Sequence, residues 1–238
     1  MEINTAVALG GIVASYFFVF CILAYYANIL MFKTKVNEIW MFMSFSKPLY
    51  AYTIKNDLRI KFGYIPLSSL VKTDSGGDVG LNDDELKKYD RRTMKNAFIF
   101  HGMMGTMLTV LIVAVSWISG YDPLVIFKDF GNHIWLLFSG KNDFSGFVNF
   151  IHSQYTAYGK HFFIFLSVGI YFIFISLVLM ISSLYSFLSA LMGIVIIVGY
   201  FVVGFKFLEL PFTFYIDLIL SLIVIGFIYF LLLRFFIK

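Results

Sequence analysis

Residues 5–32 read TAVALGGIVASYFFVFCILAYYANILMF, without one Asp, Glu, Lys or Arg. An uncharged apolar run of about 18 residues or more is long enough to cross a bilayer as a helix. Only Glu2 precedes the run as a charge, and Lys33 and Lys35 follow it. A cleaved signal peptide has a basic start and a shorter apolar stretch, so this run is expected to remain as a span. Three further regions have the same character. Residues 96–120 carry only His101, 162–205 carry no charge, and Leu210–Leu233 carries only Asp217.

The composition agrees with this reading. Of 238 residues, 60% are hydrophobic and 13% are charged, against roughly 25% charged in soluble domains. The expected fold class is an all-α polytopic membrane protein, a single membrane domain over 1–238. Its spans are about 5–32, 96–120, 162–205 and 210–235. The third is unusual. A single helix over 162–205 would run roughly 66 Å, about twice the hydrocarbon core. It must therefore break or tilt strongly, giving four spans, or cross twice, giving five. Ser182, Ser183, Ser186, Ser189 and Gly193 mark its middle. Two crossings would place the C-terminus inside, and one broken crossing would place it outside.

Lys and Arg set the orientation. Residues 33–95 hold 12 of the 18, whereas 121–160 hold only Lys128, Lys141 and Lys160. The N-terminus is expected outside and the loop 33–95 in the cytoplasm. The net charge of +4 is thus a topology signal, and no basic patch on a soluble domain points to nucleic acid. Cys21 is the only cysteine, which excludes an intrachain disulfide and a zinc–cysteine cluster. It reads as a small buried apolar residue.

Within 33–95, Leu49–Ile65 holds two β-favouring stretches around Lys55-Asn56-Asp57 and predicts a membrane-associated β-hairpin. Thr73–Gly80 reads as a flexible connector. Its Asp-Ser-Gly-Gly-Asp lacks the further ligands and closing Glu of an EF-hand loop. Asn82 with Glu85 reads as a capping box for a charged interfacial helix, Asp83–Lys95. Residues 121–161 intersperse Trp135, Phe138, Phe144, Phe147 and Phe150 with Ser, Gly and Asn, as an amphipathic segment on the outer interface does. Asp217 would hydrate near the interface beside Glu209, or pair inside the bundle. A proton relay would want a second buried ionisable group, and none is evident.

Several short motifs carry a resemblance. Ser44-Phe45-Ser46 is followed by Ile65-Pro66-Leu67-Ser68-Ser69-Leu70-Val71-Lys72. Arg91-Arg92 precedes Gly102-Met103 and Thr106, and Ser183–Leu191 with Gly193 lies in the third region. In order and spacing this resembles the site-2 protease family of intramembrane zinc metalloproteases. There a Gly-Phe-Gly stretch, an Ile-Pro-Leu-Gly-Gly-Tyr-Val-Lys hairpin end, a Gly-Pro-x-x-Asn and an Asn-x-x-Pro-x-Pro-x-x-Asp-Gly stand in corresponding places. Most signature residues differ here, and the PDZ insertion common in the family is missing. The resemblance favours one broken third span.

The family's chemistry needs His-Glu-x-x-His in the first span and an aspartate in the third, with water on an open zinc position. On the matching positions stand Ala24, Tyr25 and Asn28, and no Asp lies between Asp143 and Asp217. Alanine cannot ligate, and tyrosine, with a pKa near 10, is a poor base at neutral pH. His101, His133, His152 and His161 form no His-x-x-x-His pair. His152 and His161 offer at most a weak interfacial metal site and read more plainly as polar anchors. No Gly-x-Ser-x-Gly elbow supports serine catalysis.

The sequence therefore predicts a non-enzyme with no metal and no cofactor, a degenerate and catalytically inactive relative in the inner membrane of a bacterium. The resemblance implies a groove between spans one and three, beside the hairpin, that holds a partner's transmembrane segment. The expected contact residues are Tyr50, Tyr52, Ile54, Leu58 and Ile60, with the vestigial positions Ala24, Tyr25, Asn28, Thr106 and Ser183. The expected partners are another integral membrane protein and the lipid bilayer, for an assembly factor, regulator or complex subunit. A small transporter or channel, and an immunity or exclusion protein, are the competing classes. Transport would want a polar or charged path. Spans one to three are almost free of ionisable residues, which argues against ion coupling and leaves a conduit for a hydrophobic substrate or lipid open.

Overall fold

The computed structural model describes residues 4–54, 57–66, 69–73, 83–182 and 211–237. Its helices are α1 (Thr5–Tyr26), α2 (Asp83–Ile118), α3 (Pro123–Phe138), α4 (Phe144–Tyr158), α5 (Lys160–Ser182) and α6 (Phe212–Phe236). A π-helical turn, Ala27–Met31, continues α1. Four strands lie between α1 and α2: β1 (Val36–Met41), β2 (Tyr50–Thr53), β3 (Arg59–Phe62) and β4 (Leu70–Thr73). Among the described residues, four helices are long and apolar enough to cross a membrane: Thr5–Met31, Arg91–Ile118, Ile164–Ile181 and Phe212–Phe236. The chain divides into two compact units, 1–100 with 212–238, and 101–211.

The first unit is built on α1 and α6. Asn4 caps α1, its side-chain oxygen accepting from the Ala6 amide at 3.0 Å. Its amide nitrogen donates to Asp217 at 2.9 Å. Further along, Gly10 meets Ser221 and the Leu218 carbonyl, Ser15 and Tyr229 share a hydroxyl hydrogen bond of 2.8 Å, and Tyr26 donates to the Phe236 carbonyl at 2.6 Å. The contacts advance in the same direction along both helices, so α1 and α6 run parallel. A membrane crossed by both is crossed an odd number of times in all. Small residues at the seam let the two backbones approach, which is how helices associate where lipid removes the hydrophobic drive.

The predicted hairpin is present. β2 and β3 pair antiparallel, Tyr50 opposite Phe62 and Thr53 opposite Arg59, and the Ile54 amide closes the turn on the Leu58 carbonyl at 2.8 Å. Asp57 takes φ 61° there, a left-handed value that short polar side chains tolerate. The hairpin is part of a larger element than the sequence reading expected. The sheet has the order β2-β3-β1-β4, with β1 parallel to β3 and antiparallel to β4. The fold is thus mostly helical with a four-stranded sheet. Successive strand residues face opposite sides. Ile39, Met41, Ile60 and Phe62 are buried against α1 and α6, while Glu38, Trp40 and Lys61 gather on the other face.

Phe42 follows β1 at φ 66°, an outlier for a bulky residue. It is fully buried, its ring edge-on to Phe17 at 5.7 Å and tilted on Phe62 at 5.4 Å. The packing thus holds a backbone conformation that local preference resists. Gly63 passes so close to the Met43 carbonyl that a Cβ would collide with it.

In the second unit, residues 121–161 form two helices joined by a short turn. Asp122 caps α3 through the Leu124 amide, with Pro123 in the first turn, and Asp143 caps α4 through the Gly146 amide. Ile126 and Phe130 of α3, Phe150 of α4, Leu166 of α5 and Ile112 of α2 form one cluster. Leu124 and Trp135 stay exposed opposite that buried face. The charged helix and the second span are one continuous element, α2. Its capping box, the Asp-Ser-Gly-Gly-Asp string and the serine-rich break at 183–193 lie outside the described residues.

Candidate functional site

Two concave places in the first unit involve residues singled out from the sequence. The first surrounds the end of α1. Ala24 and Tyr25 are buried. Asn28 sits in the π-helical turn, which widens the backbone spiral and frees carbonyls from their usual partners. Its side-chain amide donates to the Ala24 carbonyl at 2.8 Å, and Thr34 donates to the Asn28 side-chain oxygen at 3.0 Å and to its carbonyl at 3.2 Å. These bonds stitch the exit of the span to the start of β1. A cleft of about 320 Å³ opens beside them, lined by Tyr25, Ile29, Lys33, Thr34, Lys35, Val36 and Leu58.

Thr106 belongs to the second unit and turns back on its own helix, donating to the Gly102 carbonyl at 2.9 Å. Ser183 lies outside the described residues. Among the described residues, no three His, Cys, Asp or Glu side chains gather where they could hold a metal ion. Asp217 meets the N-terminal cap of α1 through Asn4.

The second place lies between the hairpin and α6. Leu49, Tyr50 and Phe62 face Ile223, Val224, Phe227 and Ile228 across an apolar groove of about 460 Å³. Of the hairpin residues expected to contact a partner, Tyr50 is exposed at this groove, edge-on to Phe227 and Phe230. Tyr52 is half-buried and donates to the Phe230 carbonyl at 3.0 Å. Ile54 is half-buried at the turn. Leu58 and Ile60 are buried in the core, where they fix the hairpin to the helices. Leu49, at 60% exposure, is a groove residue the sequence reading passed over, because it precedes the strand.

β2 is an outer strand of the sheet. Hydrogen-bonding directions alternate along an antiparallel pair. Since Ile54 bonds across to Leu58, the intervening Thr53 and Ala51 direct their backbone N–H and C=O away from β3. Among the described residues no strand pairs with this edge, which runs beside the groove.

The opposite face carries the sheet's ion pairs. Glu38 accepts from Lys61 at 2.5 Å and from the Trp40 indole at 2.9 Å, with Lys72 at 3.5 Å. Lys61 also lies over the Trp40 ring at 4.7 Å, a cation–π contact. Burial alone would raise the Glu38 pKa. The bonds from Lys61 and Trp40 and the charges of Lys61 and Lys72 outweigh it and hold the carboxyl at about 2.

No family model, no curated protein and no solved structure matches this chain.

Proposed function

We propose that the chain is a non-catalytic, site-2-protease-like integral membrane protein that holds an extended segment of a partner membrane protein against β2. The observation that carries this reading is the β2 edge, unpaired among the described residues, beside an apolar groove. Backbone polar groups next to an apolar wall are costly to leave unpaired where water is scarce. An added strand satisfies them, and its alternate side chains enter the groove. Leu49 and Tyr50 on one wall and Val224 and Phe227 on the other suit an apolar segment.

The vestigial positions support a non-enzymatic role through their present work. Asn28 ties the end of α1 to Thr34, and Ala24 and Tyr25 pack in the interior. The chain is proposed to lie in the cytoplasmic membrane of a bacterium, N-terminus outside and 33–95 inside. The parallel run of α1 and α6 favours an odd number of crossings and a cytoplasmic C-terminus, which departs from the four spans that the resemblance implies.

Ala51→Pro tests the reading. Proline removes an outward N–H that β3 does not use and is tolerated on edge strands. A membrane partner that copurifies in fixed ratio with the tagged protein in mild detergent is expected to be lost from this variant, with circular dichroism unchanged. Equal recovery from both, or no partner from either, overturns it.

A further inference from the structure

We infer that the cleft at the end of α1 is a headgroup site for one anionic phospholipid of the leaflet facing the sheet. Lys33 and Lys35 flank Thr34 at its mouth, both exposed, and among the described residues neither forms an ion pair within 4 Å. Glu38, which follows on β1, is engaged by Lys61 and Lys72 and does not balance them. Arg92 adds a third cation nearby, its guanidinium donating to the Phe32 carbonyl at 2.8 Å. Among the described residues, no Asp or Glu lines the cleft. Lys33 is held at φ 51°, an unusual conformation for a lysine, fixed in the turn between the π-helix and β1.

The rest of the site fits an acyl chain. Ile29 lines the cleft, and Leu30 and Met31 beside it are 69% and 51% exposed. A cationic mouth next to a bare apolar strip at the end of a span matches an amphipathic anion. Clustered lysines just beyond a span attract the anionic lipids of the cytoplasmic leaflet. The phosphate would take Lys33 and Lys35, and the chain would lie along Ile29 and Leu30. This site rests on the membrane reading and is independent of what β2 binds.

The test uses the full chain in nanodiscs of phosphatidylcholine with a minor fraction of phosphatidylglycerol, read by native mass spectrometry for retained lipid. One retained phosphatidylglycerol is expected. Lys33→Gln with Lys35→Gln is expected to weaken its preference over phosphatidylcholine about thirtyfold. The same charge change at two exposed lysines elsewhere, Lys47→Gln with Lys87→Gln, is expected to leave it. Equal retention of both lipids, or equal loss in both double variants, overturns the proposal. So does full displacement by inorganic phosphate, which would assign the cleft to a free anion.

Discussion

Replacing Gly10 with alanine probes the seam on which the first unit is built. A Cβ at Gly10 would overlap Ser221 Oγ and lie 3.0 Å from the Leu218 carbonyl oxygen and 3.1 Å from the Leu222 amide nitrogen. Ser221 can rotate away only by giving up its 2.9 Å bond to the Leu218 carbonyl, about 0.5–1.5 kcal/mol. The two backbone atoms cannot move without shifting α6, and such overpacking costs about 1–3 kcal/mol. Alanine returns about 1 kcal/mol in helix propensity. The net expectation is a loss of about 1–3 kcal/mol.

Gly11→Ala is the internal control. Its Cβ would meet only the Ile225 Cδ1 methyl at 3.3 Å, the end of a flexible side chain, so the propensity gain leaves it neutral or slightly stabilised. Unfolding in mixed micelles of rising sodium dodecyl sulfate, followed by circular dichroism, measures both. Ser221→Ala in the Gly10→Ala background should recover part of the loss, because the backbone contacts remain. Equal behaviour of the two glycine variants would refute the close parallel packing of α1 and α6.

Glu38 predicts an acid limb. Its folded pKa, about 2, lies below the ordinary 4.5, so its contribution is complete above pH 4.5 and is lost as pH falls toward 2. Wild type should lose about 1–2 kcal/mol across that window once solvent screening of these partly exposed pairs is allowed for, and Glu38→Gln should show a shallower acid limb in the same unfolding assay. Phe42→Ala should cost about 3–5 kcal/mol as a core cavity, measured by the midpoint shift. Asn4→Ala removes both a helix cap and the Asp217 bond, and should cost about 1 kcal/mol. Alkaline phosphatase fused after Phe236 should be inactive and a fluorescent protein there should fold, because parallel α1 and α6 with the proposed outside N-terminus would put the C-terminus in the cytoplasm. Active phosphatase at that position would contradict it.

The helices were legible because apolar length is a local signal. Residues 5–32 and 210–235 correspond closely to Thr5–Met31 and Phe212–Phe236. The hairpin was legible from its β-favouring residues around a polar turn. β1 was missed because Val-Asn-Glu-Ile-Trp-Met has weak alternation, and its parallel pairing with β3 is made across the intervening chain. The caps Asp122-Pro123 and Asp143 were written in the sequence, but the aromatic spacing drew the reading toward a surface segment and away from two helices. At the candidate site, Ala24, Tyr25 and Asn28 were found by position. The π-helical turn and the Thr34 bonds depend on how the chain leaves α1 and have no sequence signature. Leu58 and Ile60 show the limit of reading a strand without its sheet. Alternation marks them as facing one side, but only the packing reveals that the side is the core.

The most direct measurement of the central claim is photocrosslinking from β2 in living cells. A photoreactive phenylalanine at Ala51, on the outward edge, should capture one membrane protein, and capture should vanish when Val224 in the groove is changed to a bulky tryptophan. A probe at Lys87, exposed on α2, should capture none. Crosslinks to many proteins from both positions, or a partner captured at Ala51 regardless of Val224→Trp, would contradict a strand held between the β2 edge and α6.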